Sequence, residues 1–511
     1  MAALKFFDFT PDGLIRKSAF KRAIPHDEAG LMAQRPSGNA GAQDITLTQG
    51  NMRYSLMSQA DFLREFDVNS HAINSLKYYP DTLSKSDDSK MRIKVRTRVA
   101  IGFQERILTK RLVALVGNNV NLRIVRSGGS VQKAQDSLTA FREGWEDKDI
   151  EIAIHEAITS DGKTGDCAVC FYMNGGRVGW RTFGYDKGDI LYPHYDPITG
   201  ELAVFARLYS RPDDKGDSVT FLDVWDDTYY VRYRRDDTKD PKDGSQWTMD
   251  SYPQPHNYGM CPVAYHRYGG PFWTPSQSLI DQYEIAISQF AENNSAYALR
   301  ILYTMGEVMH VKANFDGTPS RIDSPNADAK VGFLEPADSS ASFKEELDTL
   351  EKNIMRSSFA VETPEIKSGS DISSLTVKML FADSYLKALE DAQNYQLFIN
   401  RIVRLFKHGY AVETNKIAEE DSYNVKAELL PFVFMSESEV INAIVQLVSV
   451  GAMSKETATE LAYNSGYGTV DEWNRIITEA HDELVGTQQQ SASQTQTQDL
   501  NDITAAREAN A

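Results

Sequence analysis

The chain has 511 residues, and its 72 Asp and Glu outnumber its 54 Lys and Arg, which gives a formal net charge of −18. A surface of that sign repels phosphate, which argues against a protein that grips nucleic acid along a basic stripe. Its 3 cysteines are too few for a disulfide framework, and the apolar runs are too short to span a bilayer. Composition therefore favours a protein of a reducing compartment, either cytoplasmic or part of a particle.

The first part of the chain begins with a polar segment and then alternates between helix and strand patterns. Residues 1–52 are rich in small and polar types and are expected to form a loose N-terminal arm. The pattern over residues 90–117 predicts a strand or helix followed by a helix that ends at Gly117, and residues 120–129 predict a strand and a turn. Apolar residues spaced three to five apart predict one continuous helix over residues 132–159.

A β-rich block follows. Apolar and polar residues alternate from 167 to 235, which predicts several antiparallel strands. The tripeptide Asn174-Gly175-Gly176 marks the turn of a first hairpin, because glycine adopts the left-handed conformation that such turns need. Residues 197–200, which run from proline to glycine, mark the turn of a second hairpin.

Two helices with clear start signals come next. Thr274 can cap a helix predicted over residues 275–301, and Pro275 fits its first position. Ser342 and Glu345 have the spacing of a capping box at the start of a second helix, predicted over residues 341–358. The two patterns predict a pair of helices separated by a short insertion.

The insertion, residues 304–340, is rich in Gly, Pro, Asp and Ser and contains a short strand pattern. After a polar loop, residues 374–408 carry the longest helical pattern, which would be roughly 50 Å long. Residues 411–485 predict short capped helices, the first of which is expected to stop at Gly451. Residues 486–511 are of low complexity and are expected to be disordered.

Three short motifs suggest chemistry but each lacks a required part. Gly162-Lys163-Thr164 resembles a phosphate-binding loop, but Ala157 occupies the position of its first glycine and a helical pattern precedes it, so a hairpin turn is the preferred interpretation. Cys167 and Cys170 would face opposite sides of a strand and could not share a metal ion. The pair His155-Glu156 lacks the second histidine of a zinc-protease helix.

The polar loop holds one further candidate, Glu365-x-Lys367, part of the carboxylate–lysine pattern of metal-dependent nucleases. Such sites hold Mg²⁺ on rigid strands, whereas Pro364 and Gly369 indicate a flexible loop. We therefore expect no catalytic residue, no metal site and no cofactor. A metal-dependent DNA-processing enzyme remains the alternative to a structural role.

The order of these elements resembles the portal proteins of tailed double-stranded DNA bacteriophages of the long-tailed type. Three stretches carry the likeness: residues 279–306, LIDQYEIAISQFAENNSAYALRILYTMG; residues 160–210, from SDGKTGD to FARLYS; and residues 451–476, GAMSKETATELAYNSGYGTVDEWNRI. The resemblance extends over roughly residues 53–484 and rests on a long pattern without an invariant signature.

The resemblance implies an α+β, portal-type fold with a β-rich wing, a two-helix stem, a small α/β clip, a long wing spine helix and a helical crown. The implied domains are the N-terminal arm (1–52), wing (53–276), stem helix 1 (277–303), clip (304–340), stem helix 2 (341–358), tunnel loop (359–373), wing spine helix (374–410), crown (411–485) and disordered tail (486–511).

The resemblance further implies a ring of about twelve copies, a dodecamer, at the portal vertex of the virion capsid. Double-stranded DNA would pass through its channel during packaging and ejection. The implied partners are the terminase large subunit, then a head-tail adaptor protein, and the major capsid protein and scaffold, with assembly in the host cytoplasm and no membrane. Another structural virion subunit, such as a capsid or collar protein, is the second alternative.

The predicted tunnel loop has a composition suited to a weak channel wall. It combines acidic, basic and hydroxyl groups around one glycine, and its candidate DNA-channel residues are Glu362, Glu365, Lys367, Ser368, Gly369, Ser370 and Asp371. Such a mixture touches a phosphate backbone weakly while repelling it overall. An ordinary helix–helix connection is the other interpretation, although most such connections are two to eight residues long.

Overall fold

A computed structural model describes the larger part of the chain. The described residues are 21–24, 47–49, 52–56, 58–85, 91–127, 131–212, 216–236, 247–297, 301–305, 310–313, 319–323, 330–334, 340–360, 381–415, 423–431, 437–455, 458–459 and 476. The chain divides into two compact units, residues 1–367 with 382–432, and residues 368–381 with 433–511.

Eight α-helices lie in the described residues. They are α1 (Gln59–Phe66), α2 (Phe103–Val116), α3 (Val131–Asp147), α4 (Ile150–Thr164), α5 (Gln277–Tyr297), α6 (Ser340–Ser357), α7 (Ala382–Glu413) and α8 (Glu437–Ser449). Helices α1 to α7 belong to the first unit and α8 to the second. None of the helices in the described ranges is both long and apolar enough to cross a membrane.

Twenty strands lie in the same described ranges. They are β1 (Lys21–Ile24), β2 (Leu47–Gln49), β3 (Met52–Leu56), β4 (Thr82–Lys85), β5 (Met91–Lys94), β6 (Asn121–Ser127), β7 (Cys167–Asn174), β8 (Arg177–Phe183), β9 (Ile190–Tyr195), β10 (Leu202–Pro212), β11 (Ser218–Trp225), β12 (Tyr229–Arg235), β13 (Trp247–Met249), β14 (Gln254–Pro255), β15 (Val263–His266), β16 (Ile301–Met305), β17 (His310–Ala313), β18 (Pro319–Asp323), β19 (Lys330–Leu334) and β20 (Tyr423–Glu428). The mixture of helices and antiparallel sheets confirms the predicted α+β class.

Two antiparallel sheets form the β-rich block. One has the order β13-β12-β11-β10-β9 with β14 beside β12, and the other has the order β15-β7-β8. Both predicted hairpin turns are confirmed: Gly175 and Gly176 have positive φ between β7 and β8, and residues 196–201 connect β9 to β10. Cys167 and Cys170 are buried in different apolar clusters, which confirms that they face opposite sides of β7.

Helix α7 runs through the main core of the first unit. Its buried residues include Tyr395, Ile399, Ile402 and Phe406, and its neighbours are α2, α3, β7, β8, β15 and β20. Apolar side chains three and four apart give the helix its buried face, and this burial supplies most of its stabilisation. The prediction of a long helix is confirmed over 382–413, whereas residues 374–380 lie outside the described residues.

The single helix predicted over residues 132–159 was wrong, because the structure has α3 and α4 with a corner between them. Asp149 has φ 53°, a left-handed conformation that ends the helical hydrogen-bond pattern. The Trp180 indole N–H donates to the Lys148 carbonyl at 2.6 Å, which fixes the corner. Periodicity continued across the corner because α3 and α4 both bury apolar faces in the same core.

The preferred interpretation of Gly162-Lys163-Thr164 as a hairpin turn was also wrong. These residues form the last turn of α4, and Gly165 ends the helix with φ +86° while its N–H donates to the Asp161 carbonyl at 2.7 Å. The sequence therefore marks a helix C-terminus, where glycine is favoured because it adopts the left-handed conformation without strain.

Replacing Gly165 by alanine is expected to destabilise the first unit more than the same change at Gly188. Both glycines have nearly equal φ, +86° and +85°, but a Cβ at Gly165 would lie 2.7 Å from the Gly270 backbone nitrogen, whereas nothing lies within 4 Å at Gly188. We expect Gly188→Ala to cost about 1–2 kcal/mol and Gly165→Ala about twice that. Denaturant unfolding of both variants checks the difference, and equal costs would contradict it.

Two further boundaries differ from the sequence-based expectations, and two agree with them. Helix α5 ends at Tyr297, earlier than the predicted residue 301, because 301–305 pair with 330–334 as strands. The N-terminal arm includes β1 and β2, which both pair with β3, rather than being loose throughout. Helix α6 begins at Ser340, within one residue of its prediction. Gly451, with φ +71°, follows α8 closely, as predicted.

Candidate functional site: a helical hairpin and its buried anchors

Helices α5 and α6 form an antiparallel hairpin with strands between them. Ser276, just before α5, hydrogen-bonds to Ser357 at the end of α6 with 2.8 Å between their hydroxyl oxygens. Further along, the rings of Phe290 and Phe343 lie 5.4 Å apart. The intervening chain forms two antiparallel pairs, β16 with β19 and β17 with β18. The hairpin therefore carries a small β element between its two helices.

The base of the hairpin is fixed by buried hydroxyl and amide groups. The Ser276 hydroxyl also donates to the Ile354 carbonyl at 2.9 Å, and the Ser358 hydroxyl donates to the same carbonyl at 2.8 Å. The side-chain amide of Gln104 on α2 donates to Gln277 at 3.1 Å. Because these groups are buried, a displacement of the hairpin would break their hydrogen bonds and leave polar atoms unsatisfied away from water. The free-energy cost of such unsatisfied atoms holds the hairpin in one position.

A buried carboxylate holds α5 to the chain before α2. Glu284 Oε1 lies 2.6 Å from His71 Nδ1 and accepts from the Ile101 backbone N–H at 3.0 Å. One turn further, the Ser288 hydroxyl accepts from the Val99 backbone N–H at 2.9 Å. Glu284 and His71 are 2% and 4% exposed, so the carboxylate and the Nδ1 atom of the imidazole are satisfied by protein rather than by water, whereas the buried Nε2 atom of His71 has no hydrogen-bond partner among the described residues.

A second polar network connects four segments at the centre of the first unit. Asp161 on α4 accepts from the Tyr395 hydroxyl at 2.8 Å and from the Tyr268 backbone N–H at 3.1 Å, and its Oδ2 lies 2.5 Å from His266 Nδ1. Burial raises the pKa of Tyr395 well above its ordinary value, so the phenol stays protonated and donates. The network therefore joins α4, α7 and the chain at and after β15.

The same network continues to a buried ion pair between α2 and α7. Arg111 pairs with Asp391 and donates to the Tyr268 hydroxyl at 3.0 Å, and that hydroxyl donates to Asp391 at 3.1 Å. Lys387 lies 3.1 Å from the same carboxylate. The Arg111 and Asp391 side chains are 5% and 3% exposed, so the buried charge of Arg111 depends on Asp391 for compensation.

These clusters combine Asp, His and Tyr but have the properties of structural contacts. Asp161 and Tyr395 are each 0% exposed, so no substrate reaches them. Among the described residues, no group of three or more His, Cys, Asp or Glu could hold a metal ion. Burial raises the pKa of the Cys261 thiol to about 12, so this sulfur is not a nucleophile at neutral pH.

The predicted site lies elsewhere in the chain. The candidate channel residues Glu362, Glu365, Lys367, Ser368, Gly369, Ser370 and Asp371 all lie outside the described residues. Sequence reasoning missed Asp161, Glu284 and Asp391. Their common signal is a carboxylate on the apolar face of a helix, as with Asp391 beside Ala388 and Ala392.

The geometry defines a class of protein: a scaffold in which buried polar anchors fix a long helix and a helical hairpin. A family model described as phage portal protein, SPP1 Gp6-like, matches residues 63–465, and the chain belongs to that family. This confirms the resemblance and supports a phage portal role for the chain, as a structural component of the virion capsid. No curated protein matched the chain.

Proposed function

We propose that the chain forms a ring, a dodecamer, at one vertex of the capsid and that DNA enters and leaves through the channel of this ring. The observation that carries the proposal is the family match over residues 63–465. The hairpin of α5 and α6 supports it, because a helix pair with a small β element suits a stem and clip that project from a larger domain.

The domain roles are part of the same proposal. Helices α5 and α6 form the stem, residues 304–340 the clip, α7 the wing spine helix and the β-rich block the wing, with a crown within residues 411–485. The clip docks the terminase large subunit during packaging and then a head-tail adaptor protein, and the wing meets the major capsid protein and scaffold. Assembly takes place in the host cytoplasm, before the finished portal vertex is part of the virion.

Negative-stain electron microscopy of the purified protein tests the ring. We expect cone-shaped rings with an axial hole, because a conduit requires identical subunits around a central axis. Monomers with Mg²⁺-dependent DNA cleavage, abolished by Glu365→Ala, would instead support a nuclease. Closed shells would support a capsid subunit, and monomers without cleavage at high concentration would contradict the portal assignment.

The tunnel loop, residues 359–373, is proposed as the inner wall of the channel. Each phosphate that a Lys or Arg neutralises adds affinity through counterion release, and a ring would multiply one such site by the number of subunits. Glu362, Glu365 and Asp371 offset Lys367 in this loop. The net repulsion would let DNA slide without being held.

Replacing Glu362 and Glu365 by lysine is expected to slow DNA packaging without preventing ring formation. The added cations attract phosphate from every subunit, so packaging velocity should fall severalfold at low salt and recover as salt is added. A motor assay with the terminase measures the velocity. The matched control is Asp227→Lys with Asp250→Lys, which changes the net charge equally on exposed positions of the β-rich block. Unchanged velocity in the loop variant would refute the proposed wall.

A further inference from the structure

One face of α7 borders a groove of about 870 Å³ that is basic although the whole chain is acidic. Five cationic side chains line the groove, and Glu201 is the one carboxylate among its described lining residues. The cations are Arg267, Arg401, Arg404, Lys407 and Lys426. This set is called the basic groove below.

Two cations of the basic groove, Arg401 and Arg404, have uncharged or weakly bound partners. Arg401 donates to the Val263 carbonyl at 2.7 Å and to the Cys261 carbonyl at 2.9 Å, so its position is fixed by backbone oxygens. Arg404 lies 3.4 Å from Glu201, and the two side chains are 48% and 63% exposed. An ion pair this exposed contributes little and exchanges readily for another carboxylate.

Exposed carboxylates gather at the corner between α3 and α4. Glu143, Glu146, Asp147 and Asp149 are all exposed within seven residues, and this set is called the acidic corner. Lys148 lies 3.2 Å from Asp147 and 3.1 Å from Glu413, so its charge serves two carboxylates at once. The corner therefore keeps a strong negative charge.

An apolar contact is available beside each charged surface. Leu397 lines the basic groove and is 83% exposed. Near the acidic corner, a smaller cavity of about 240 Å³ is lined by Val116, Ile152 and Leu429, and Ile152 is 52% exposed. Each surface thus pairs charge with aliphatic side chains, the combination found where proteins associate.

The two surfaces lie on opposite sides of α7. Phe406 packs against Phe141 and Trp145 of α3, with ring centroids 5.3 and 5.5 Å apart. Arg404 precedes Phe406 by two residues, which places it about 200° away around the helix. Lys148, within the acidic corner, lies 3.1 Å from Glu413, which follows Phe406 by seven residues and therefore lies on the α3 side of α7. A single subunit therefore presents the basic groove and the acidic corner in opposite directions.

We propose that the basic groove of one subunit receives the acidic corner of the next copy of the same chain. The proposal rests on the ring proposed above and identifies one of its subunit contacts. Complementary surfaces on opposite sides of one protein associate head to tail, and such contacts close into rings when the rotation between copies permits. Opposite charges fix the register and speed association, so assembly is expected to be sensitive to salt.

Charge reversal on each surface tests the contact. The groove variant is Arg267→Glu with Arg404→Glu, and the corner variant is Glu143→Lys with Glu146→Lys. We expect each variant alone to remain monomeric, because the reversals cancel the positive charge of the groove in one variant and invert the charge of the corner in the other, and the attraction between the two surfaces is lost. Mixed in equal amounts, the two variants form one contact that keeps the wild-type charges and a second contact in which the new glutamates face the new lysines, so we expect alternating rings. Mass photometry measures the assembly state.

A control and a folding check separate this contact from other effects. Arg211→Glu with Arg234→Glu changes the net charge as the groove variant does, at exposed positions that belong to neither surface, and is expected to form rings. Circular dichroism melting shows whether each variant folds like the wild type. Four reversals combined in one chain should also restore rings.

Three results would overturn the inference. Rings formed by either reversed variant alone would show that the surfaces do not meet, while the ring proposal would stand. Monomers in the equal mixture of the two variants would also show that the basic groove and the acidic corner do not meet. Loss of DNA binding by a groove variant that still forms rings would identify the groove as a phosphate-binding surface instead. Absence of rings in the wild type would refute the ring proposal itself.

Discussion

Replacing Asp391 by alanine is expected to lower the free energy of unfolding of the first unit by about 3–5 kcal/mol. The change removes the partner of Arg111, whose side chain is 5% exposed, and leaves an uncompensated charge in the core. It also removes the acceptor of the Tyr268 hydroxyl. Denaturant unfolding of the unassembled protein, followed by far-ultraviolet circular dichroism, measures the loss.

Two further variants locate the origin of that loss. The double variant Arg111→Met with Asp391→Leu removes both charges and is expected to regain much of the stability, because apolar residues of similar size avoid the desolvation cost. Glu390→Ala removes the adjacent carboxylate, which is 64% exposed, and should change stability by less than about 0.5 kcal/mol. A loss below about 1 kcal/mol for Asp391→Ala would contradict the role of the buried pair.

Replacing Phe406 by alanine is the second change with a large expected effect, about 3–5 kcal/mol. This ring is 0% exposed and contacts the rings of Phe141, Trp145 and Tyr410 at centroid distances of 5.3, 5.5 and 5.7 Å. The substitution removes these contacts and leaves a cavity where α3 meets α7. The same unfolding measurement checks the cost.

The matched control for Phe406→Ala is Leu386→Ala on the same helix. Leu386 is 62% exposed, so its loss should cost less than about 0.5 kcal/mol, and helix propensity hardly changes. Similar costs for the two variants would show that α7 is stabilised by its own helical hydrogen bonds. A large difference would show that packing against α3 holds the proposed wing spine in place.

Local signals in the sequence predicted the elements that depend on neighbouring residues. Gly175 and Gly176 marked a hairpin turn because few other residues adopt positive φ, and the two-residue alternation placed Cys167 and Cys170 on opposite faces. The same kind of signal failed at Asp149, where a left-handed residue turns the chain although the apolar period continues. Periodicity reports which face is buried and not where the axis changes direction.

The sequence by itself determined the α+β class, the long helix, the pair of helices with strands between them, and the family. Only the tertiary structure decided which charges are buried and which surfaces oppose each other. Asp391 meets Arg111 across 280 residues, and Asp161 meets Tyr395 across 234, so no local pattern encodes either contact. The physical reason is that a buried charge requires a partner in space, and the fold of the whole unit chooses that partner.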